Sequence, residues 1–399
     1  MSGILYISYS GMTEPLGQSQ VLAYLERLAK RFDIHLISFE KPVSEADGGV
    51  LAAVRSRMAN AGINWHPLRY HRRPSLAATA WDIAQGIRLG TKLVRQHGLQ
   101  LVHARSYVPS MMAVSIKKRL GIPYLFDMRG FWVDERVDAG LWRSDGAMFR
   151  FAKRMEQRFL TNADAVVSLT HAAAEELGRF PYLQAAPPPI HIIPTCADLA
   201  RFTPAPAPQA GPFVLGYVGT VGNWYMFDET LECFRTLQQQ ERGARLLVIN
   251  RGEHDRVRAL AAERGIDPGD ISIVASSHAD MPGHIRAMSA GILMARPAYS
   301  HIARAPTRLA EFLGCGVPCL ANDGVGDVSR ILESSKSGIV IRAFDPESRA
   351  RAVADLVALA RSPGIAGLCA ATAESHFSVE TGAARYAEIY RTLGATARA

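Results

Sequence analysis

The chain has 399 residues, 48% apolar and 21% charged, with 33 Gly and 22 Pro, a composition that excludes a disordered, collagenous or coiled-coil protein. At roughly 100–200 residues per domain, two domains are expected, each long enough to bury a core. The net charge of +8 lies wholly in residues 1–196, with 24 basic and 16 acidic side chains against 21 of each in residues 197–399, so the first half faces an anionic partner: nucleic acid, an acidic membrane surface or a phosphorylated substrate.

Short β-rich runs then alternate with amphipathic helical stretches, the pattern of a parallel sheet wrapped by helices. In the first half, strands are expected at 4–10 (ILYISYS), 34–39, 63–68, 99–104, 123–128, 165–170 and 191–194. Helical periodicity covers 20–31, 76–96, 109–120 and 147–160. Nine prolines within Pro181–Pro212 mark a connection. After it a second α/β series begins at FVLGYVG (213–219) and continues through 245–250, 271–276, 291–295, 318–322 and 338–343. The last segment is helical, with Tyr386, Ile389 and Tyr390 on one stripe. The expected organisation is an N-terminal Rossmann-like domain (1–196), a Pro-rich linker (197–212), a second Rossmann-like domain (213–375) and a C-terminal helix (376–399). Such doubly wound α/β domains bind ligands outside the carboxyl ends of their strands, here in a cleft between the two.

Five scattered cysteines form neither a disulfide framework nor a zinc motif, which fits reduced core residues in a cytoplasmic protein. The first residues read as a strand rather than a signal peptide. The longest uncharged run, Phe202–Phe227, is too rich in Pro and Gly to span a membrane. No Asp-x-Asp, Walker A, His-Glu-x-x-His or Gly-x-Ser-x-Gly sequence occurs. The expectation is phosphate handling with no metal and no cofactor.

Three groups of residues could carry chemistry. The loop Ser10–Gln20 runs from the first strand into a helix; its glycines suit a tight turn, and amides at a helix start can hold a phosphate. Neither it nor GYVGTVG (216–222) has Gly-x-Gly-x-x-Gly spacing, which disfavours a nicotinamide enzyme. In PTRLAEFLGCGVPCLANDGVGDV (306–328), Arg308 and Glu311 share a helix face. They are either a local ion pair worth about 0.3 kcal/mol, or a guanidinium for a diphosphate and a carboxylate for a pair of sugar hydroxyls. After the fourth and fifth strands come His103, Arg105, Asp127, Arg129, Asp134 and Glu135, which read as satisfied structural pairs or as cleft-facing groups.

Basic clusters accompany aromatics at Arg69, Arg72 and Arg73, at Lys117, Lys118 and Arg119, and at Arg150, Lys153 and Arg154, where Phe151, Met155 and Phe159 repeat every four as a packed stripe. Each is a solvated face taken singly. With the charge asymmetry they favour docking on an anionic membrane, where each cation contributes about 1 kcal/mol. No recognition motif supports nucleic acid.

The segments YSGMTEPLGQSQVLAYLERLA (9–29), FDMRGFWVDER (126–136), HIIPTCADLARF (191–202), LGYVGTVG (215–222) and 306–328 resemble glycosyltransferase family 4. The resemblance implies the GT-B fold, two Rossmann-like domains across a cleft, and transfer from a nucleotide-sugar with retention of configuration; residues 1–196 would form the acceptor side, residues 213–375 would bind the nucleotide-sugar, and the helix in 376–399 would cross back to the first domain. It implies donor contacts at Gly17, Gln18, Gly219, Thr220, Asn250, Thr307, Arg308 and Glu311. Arg308 would carry the diphosphate charge and Glu311 the ribose; with His103 and Asp127 they are the candidate catalytic residues, while Arg105, Arg129 and Glu135 would orient the acceptor. Two departures stand out: Ala303 occupies the position of the family's first motif glutamate, and Asn223, Trp224 and Tyr225 follow Gly219 where many members have Arg and Lys. The acceptor is expected to be a lipid-linked or surface-polysaccharide glycan, met peripherally at the inner membrane face. An epimerase or hydrolase of the same fold, or a non-catalytic binding or docking subunit, are the alternatives.

Overall fold

Apolar runs become strands here because both faces of each are covered, as in sheets whose crossovers are helices. All six residues of β1 (Gly3–Ser8) are buried. The computed structural model describes residues 3–42, 48–205, 211–222, 224–277 and 279–396. The chain divides into two units, Met1–Pro194 with Val379–Ala399, and Thr195–Ser378. Residues 206–210 of the expected linker and Asn223 lie outside the described residues.

Unit 1 holds a seven-stranded parallel sheet, ordered β3-β2-β1-β4-β5-β6-β7. Its strands are β1, β2 (Asp33–Glu40), β3 (Ile63–Arg69), β4 (Leu99–Arg105), β5 (Tyr124–Asp127), β6 (Ala165–Ser168) and β7 (Ile190–Ile192). Pro67, which lacks an amide for a ladder, is tolerated because β3 is an edge. The order reverses between β1 and β4, where Ser8 lies in register with Arg105. The first helix starts at Pro15, earlier than periodicity suggested, because proline suits a first turn. It continues as a π segment, Gln18–Leu22, into Ala23–Leu28.

The helix Val379–Thr392 packs on this first helix, although some 350 residues separate them in the chain. Tyr386 meets Tyr24 edge-on at 5.7 Å, Tyr390 meets Phe32 at 5.3 Å, and Arg27 pairs with Glu380 at 2.6 Å. The expected stripe of Tyr386, Ile389 and Tyr390 is buried.

Unit 2 holds six parallel strands, ordered β10-β9-β8-β11-β12-β13: β8 (Val214–Val218), β9 (Arg245–Ile249), β10 (Ile271–Val274), β11 (Ala290–Leu293), β12 (Cys319–Asn322) and β13 (Gly338–Ile341). Its order reverses between β8 and β11. All five cysteines are buried.

One periodicity reading fails. Phe151 is 55% exposed rather than part of a packed stripe. The helix Ala147–Asn162 instead buries Ala152, Glu156, Phe159 and Leu160. Glu156 can take a core position because Tyr107 donates to it at 2.6 Å and Lys153 lies 2.5 Å away. A satisfied buried carboxylate has rotated the inner face away from Phe151.

Candidate active site

In unit 2 the carboxyl end of β8 runs into Gly219, whose φ of 138° suits glycine. A Cβ there would lie 2.4 Å from Arg308 Nη2. Glycine is therefore required by contact as well as by backbone angle, since the guanidinium rests against it. Asn250 fixes this turn from the end of β9. Its Nδ2 donates to the Gly219 carbonyl at 2.8 Å and to Glu253 at 2.9 Å, and its Oδ1 accepts from the Glu253 amide. The Val221 amide donates to Glu253 in turn. Thr220 gives its carbonyl to the Tyr217 hydroxyl.

Arg308 lies in the first turn of the helix Thr307–Gly314, which has no side-chain cap. Its guanidinium stacks 4.3 Å over Tyr225, and its buried Nη1 has no hydrogen-bond partner. Three residues on, the carboxyl of Glu311 forms no hydrogen bond or ion pair among the described residues. Burial pushes its pKa up to about 7, against the pull of Arg308 and Arg201. The site thus presents an incompletely satisfied cation and an incompletely satisfied acid on one helix face.

Ala303, where the family pattern has its first glutamate, is 2% exposed in the turn Tyr299–Ala303. The surrounding space holds aromatic and basic groups: Trp224 lies 5.0 Å from the buried His301, and Arg304 stacks 4.5 Å over Trp224. Tyr225, noticed in the sequence only as a departure, supports Arg308. His301 escaped notice because a lone histidine before a motif carries no spacing signal.

In unit 1 the loop 10–20 folds back on itself. A Cβ on Gly17 would lie 2.1 Å from the Gly11 carbonyl oxygen. Glu40, at the end of β2, accepts from the Met12 amide at 2.8 Å, the Thr13 amide and hydroxyl, and Ser38 at 2.6 Å. Those two loop amides are therefore held by an internal carboxylate. Gln18, half-buried, donates its amide to the Glu14 carbonyl.

The expected acceptor-side residues converge at the ends of β4 and β5. His103 is 1% exposed; its Nδ1 lies 2.7 Å from the Tyr390 hydroxyl and its Nε2 3.5 Å from Asp127. Burial lowers the His103 pKa, with Asp127 opposing. Asp127 is also buried, which would raise its pKa, but Arg129, His103 and Arg105 hold it below the usual carboxylate range. Arg129 lies 3.6 Å from Asp127, and Arg105, 8% exposed, keeps its Nε without a partner. Ser106 and Arg129, which end these strands, have φ of 74° and 60°; such non-glycine conformations cost on the order of 1–3 kcal/mol and concentrate at functional sites. Glu135 sits half-buried on the next helix, Trp132–Asp138. Among the described residues no group of three His, Cys, Asp or Glu could hold a metal ion.

Two family models together match most of the chain: one for a glycosyl transferase 4-like domain over residues 17–196, and one for glycosyl transferases group 1 over residues 212–358. The chain belongs to glycosyltransferase family 4. As a family 4 glycosyltransferase it has two parallel-sheet α/β units of the GT-B type, and its fold is similar to solved glycosyltransferases. Sucrose-phosphate synthase from Thermosynechococcus elongatus aligns over 98% of this chain and 99% of its own, with 15% identity and a TM-score of 0.73. Anabaena HepE, solved with UDP and glucose, aligns over 98% and 100%, with 15% identity and a TM-score of 0.69. WaaG, a glycosyltransferase involved in lipopolysaccharide biosynthesis, aligns over 97% and 99%, with 13% identity and a TM-score of 0.64. No curated protein matches the sequence. Among the described residues no single helix is long and apolar enough to cross a membrane.

Proposed function

We propose that this glycosyltransferase moves a hexosyl group from a nucleoside-diphosphate sugar to a lipid-linked or surface-polysaccharide glycan at the cytoplasmic face of a membrane. It does so with retention and without a metal. The observation that carries the reading is Arg308, a guanidinium laid against Gly219 with one buried nitrogen unsatisfied. It is suited to a leaving diphosphate. Anabaena HepE, solved with UDP and with UDP-glucose, supports the same donor class.

The bond from the anomeric carbon to the diphosphate oxygen breaks as the acceptor oxygen bonds to that carbon, and the departing phosphate takes the acceptor proton. No strong protein base is needed. Arg308 stabilises charge that grows in the transition state, where a preorganised donor is worth more than in water. Glu311 accepts from ribose hydroxyls, and the rest of catalysis is positioning.

Thermal stabilisation by UDP, GDP, ADP and CMP tests the reading, with Glu311→Ala as control. A nucleotide at 100 times its Kd adds about 2.7 kcal/mol. A shift selective for one nucleoside diphosphate and lost in the variant is expected; no shift with any nucleotide overturns the donor site. Proton NMR of the first product formed then reads the anomeric configuration.

A further inference from the structure

Several cations that the sequence offers for docking are spent inside unit 1. Lys117 donates to the Asn162 carbonyl and Asp164, Lys153 pairs with Asp134 and Glu156, and Arg150 donates to the Asp145 carbonyl. A different set is unspent. On the helix Ser75–His97, Arg88, Lys92 and Arg95 are exposed, and among the described residues none forms an ion pair or side-chain hydrogen bond. Arg119, at the end of the helix Tyr107–Leu120, joins them. The four line an open groove of about 690 Å³, together with Thr91, whose hydroxyl is buried without a partner.

The facing of this helix is fixed. Gly86 and Gly90 turn inward, where an added Cβ would come within 2.4 Å of Met112 Sδ and 2.7 Å of Ile116 Cδ1. At 3.6 residues per turn, positions 81, 84, 88, 92 and 95 then lie on the opposite side. The beginning of the helix is locked by Asp82, wholly buried, which accepts from the Tyr9 hydroxyl at 2.9 Å and the His71 amide at 3.1 Å. On this face Trp81 is 58% exposed.

We propose that this helix face seats the protein on an anionic bilayer. Trp81 enters the boundary between headgroups and acyl chains, and Arg88, Lys92, Arg95 and Arg119 meet anionic headgroups. A compact anion would need cations converging on a point; a row spread over two turns, about 10 Å, matches a plane of charge. An exposed tryptophan on the same face suits the bilayer interface and has no use in a purely ionic site. The inference rests on the acceptor being lipid-borne, since that would bring the enzyme to a membrane.

Vesicle flotation of the full chain tests it, using phosphatidylcholine alone or with about a third phosphatidylglycerol. Wild type is expected on the anionic vesicles only, less so at high salt. Replacing Arg88, Lys92 and Arg95 by Gln lowers partitioning by about 100-fold, and Trp81→Ser lowers it further. Both variants keep the wild-type thermal shift with nucleotide, which shows that they fold. Brominated lipid quenches tryptophan fluorescence in wild type, and Trp81→Phe removes most of the quenching.

Flotation unchanged in the triple variant overturns the proposal. So does binding to a soluble polyanion such as heparin without any flotation, or loss of flotation in Phe151→Ser alone. Assay of a glycolipid acceptor in detergent separates the two readings. Flotation as expected with no transfer to glycolipid removes the acceptor reading and leaves the surface; transfer with no flotation does the reverse.

Discussion

The two units bury carboxyls beside arginines with opposite results. In unit 1, Asp127 is enclosed with Arg129, Arg105 and His103, and their charge outweighs burial, holding it below the usual range. In unit 2, Glu311 is enclosed near Arg308 but without a direct partner, and burial wins, lifting it to about 7. The first arrangement meets its carboxylate with charge of its own, although Asp127 Oδ1, His103 Nε2 and Arg105 Nε keep no hydrogen-bond partner. The second is left incomplete, and a buried polar group lacking its partner is where a ligand has most to offer. Neighbouring charge, rather than residue type, separates the two carboxyls.

The largest effect that could break this contrast is expected from Arg308→Ala. If its guanidinium acts on the leaving group, kcat/KM falls about 10²–10³-fold, the scale of losing one preorganised donor. Steady-state kinetics on the donor would show it, with partial recovery in Arg308→Lys. Next comes Asp127→Asn, which leaves Arg129 and Arg105 buried without their counter-charge. It costs about 3 kcal/mol of stability by urea unfolding, whereas Glu311→Gln costs none.

Glu311 should also reveal itself through pH. Its carboxyl is neutral below about 7 and becomes an acceptor above it. Between pH 6 and 8 the ionised fraction rises about tenfold, and nucleotide affinity by titration calorimetry rises with it. The profile is flat in Glu311→Gln. The sign reverses for the empty protein: because folding raises this pKa, the ionised group destabilises the fold, and that penalty grows as pH climbs from the unfolded value of about 4.3 through 7. The smallest effect is that of Tyr390→Phe, which removes one hydrogen bond to His103 and costs about 1 kcal/mol.

Much of the fold was legible because parallel strands buried on both faces read as short apolar runs between helical periods, as β5 and β6 do. Arg308 and Gly219 were legible because local motifs carry them. What escaped is long-range. Glu40 holds the Met12 and Thr13 amides only because β1 and β2 pair in parallel, bringing the end of β2 beside the loop. Tyr386 and Tyr390 reach the His103 cluster from nearly 290 residues away. Phe151 was misread because a satisfied Glu156 can occupy a core position, which apolar periodicity has no means to register. The free row Arg88, Lys92 and Arg95 was hidden for a related reason. Sequence reports that a cation is present, and only tertiary contacts report whether it is already engaged.

The helix Val379–Thr392 has a consequence for biosynthesis. Residues 195–378 form a continuous stretch and can fold as they leave the ribosome. Unit 1 begins first, yet the side chains of Tyr386 and Tyr390, which cover Tyr24, Phe32 and His103, are translated only after all of unit 2. The nascent first half must therefore wait with an apolar seam uncovered, and the domain that starts the chain is the last to be closed.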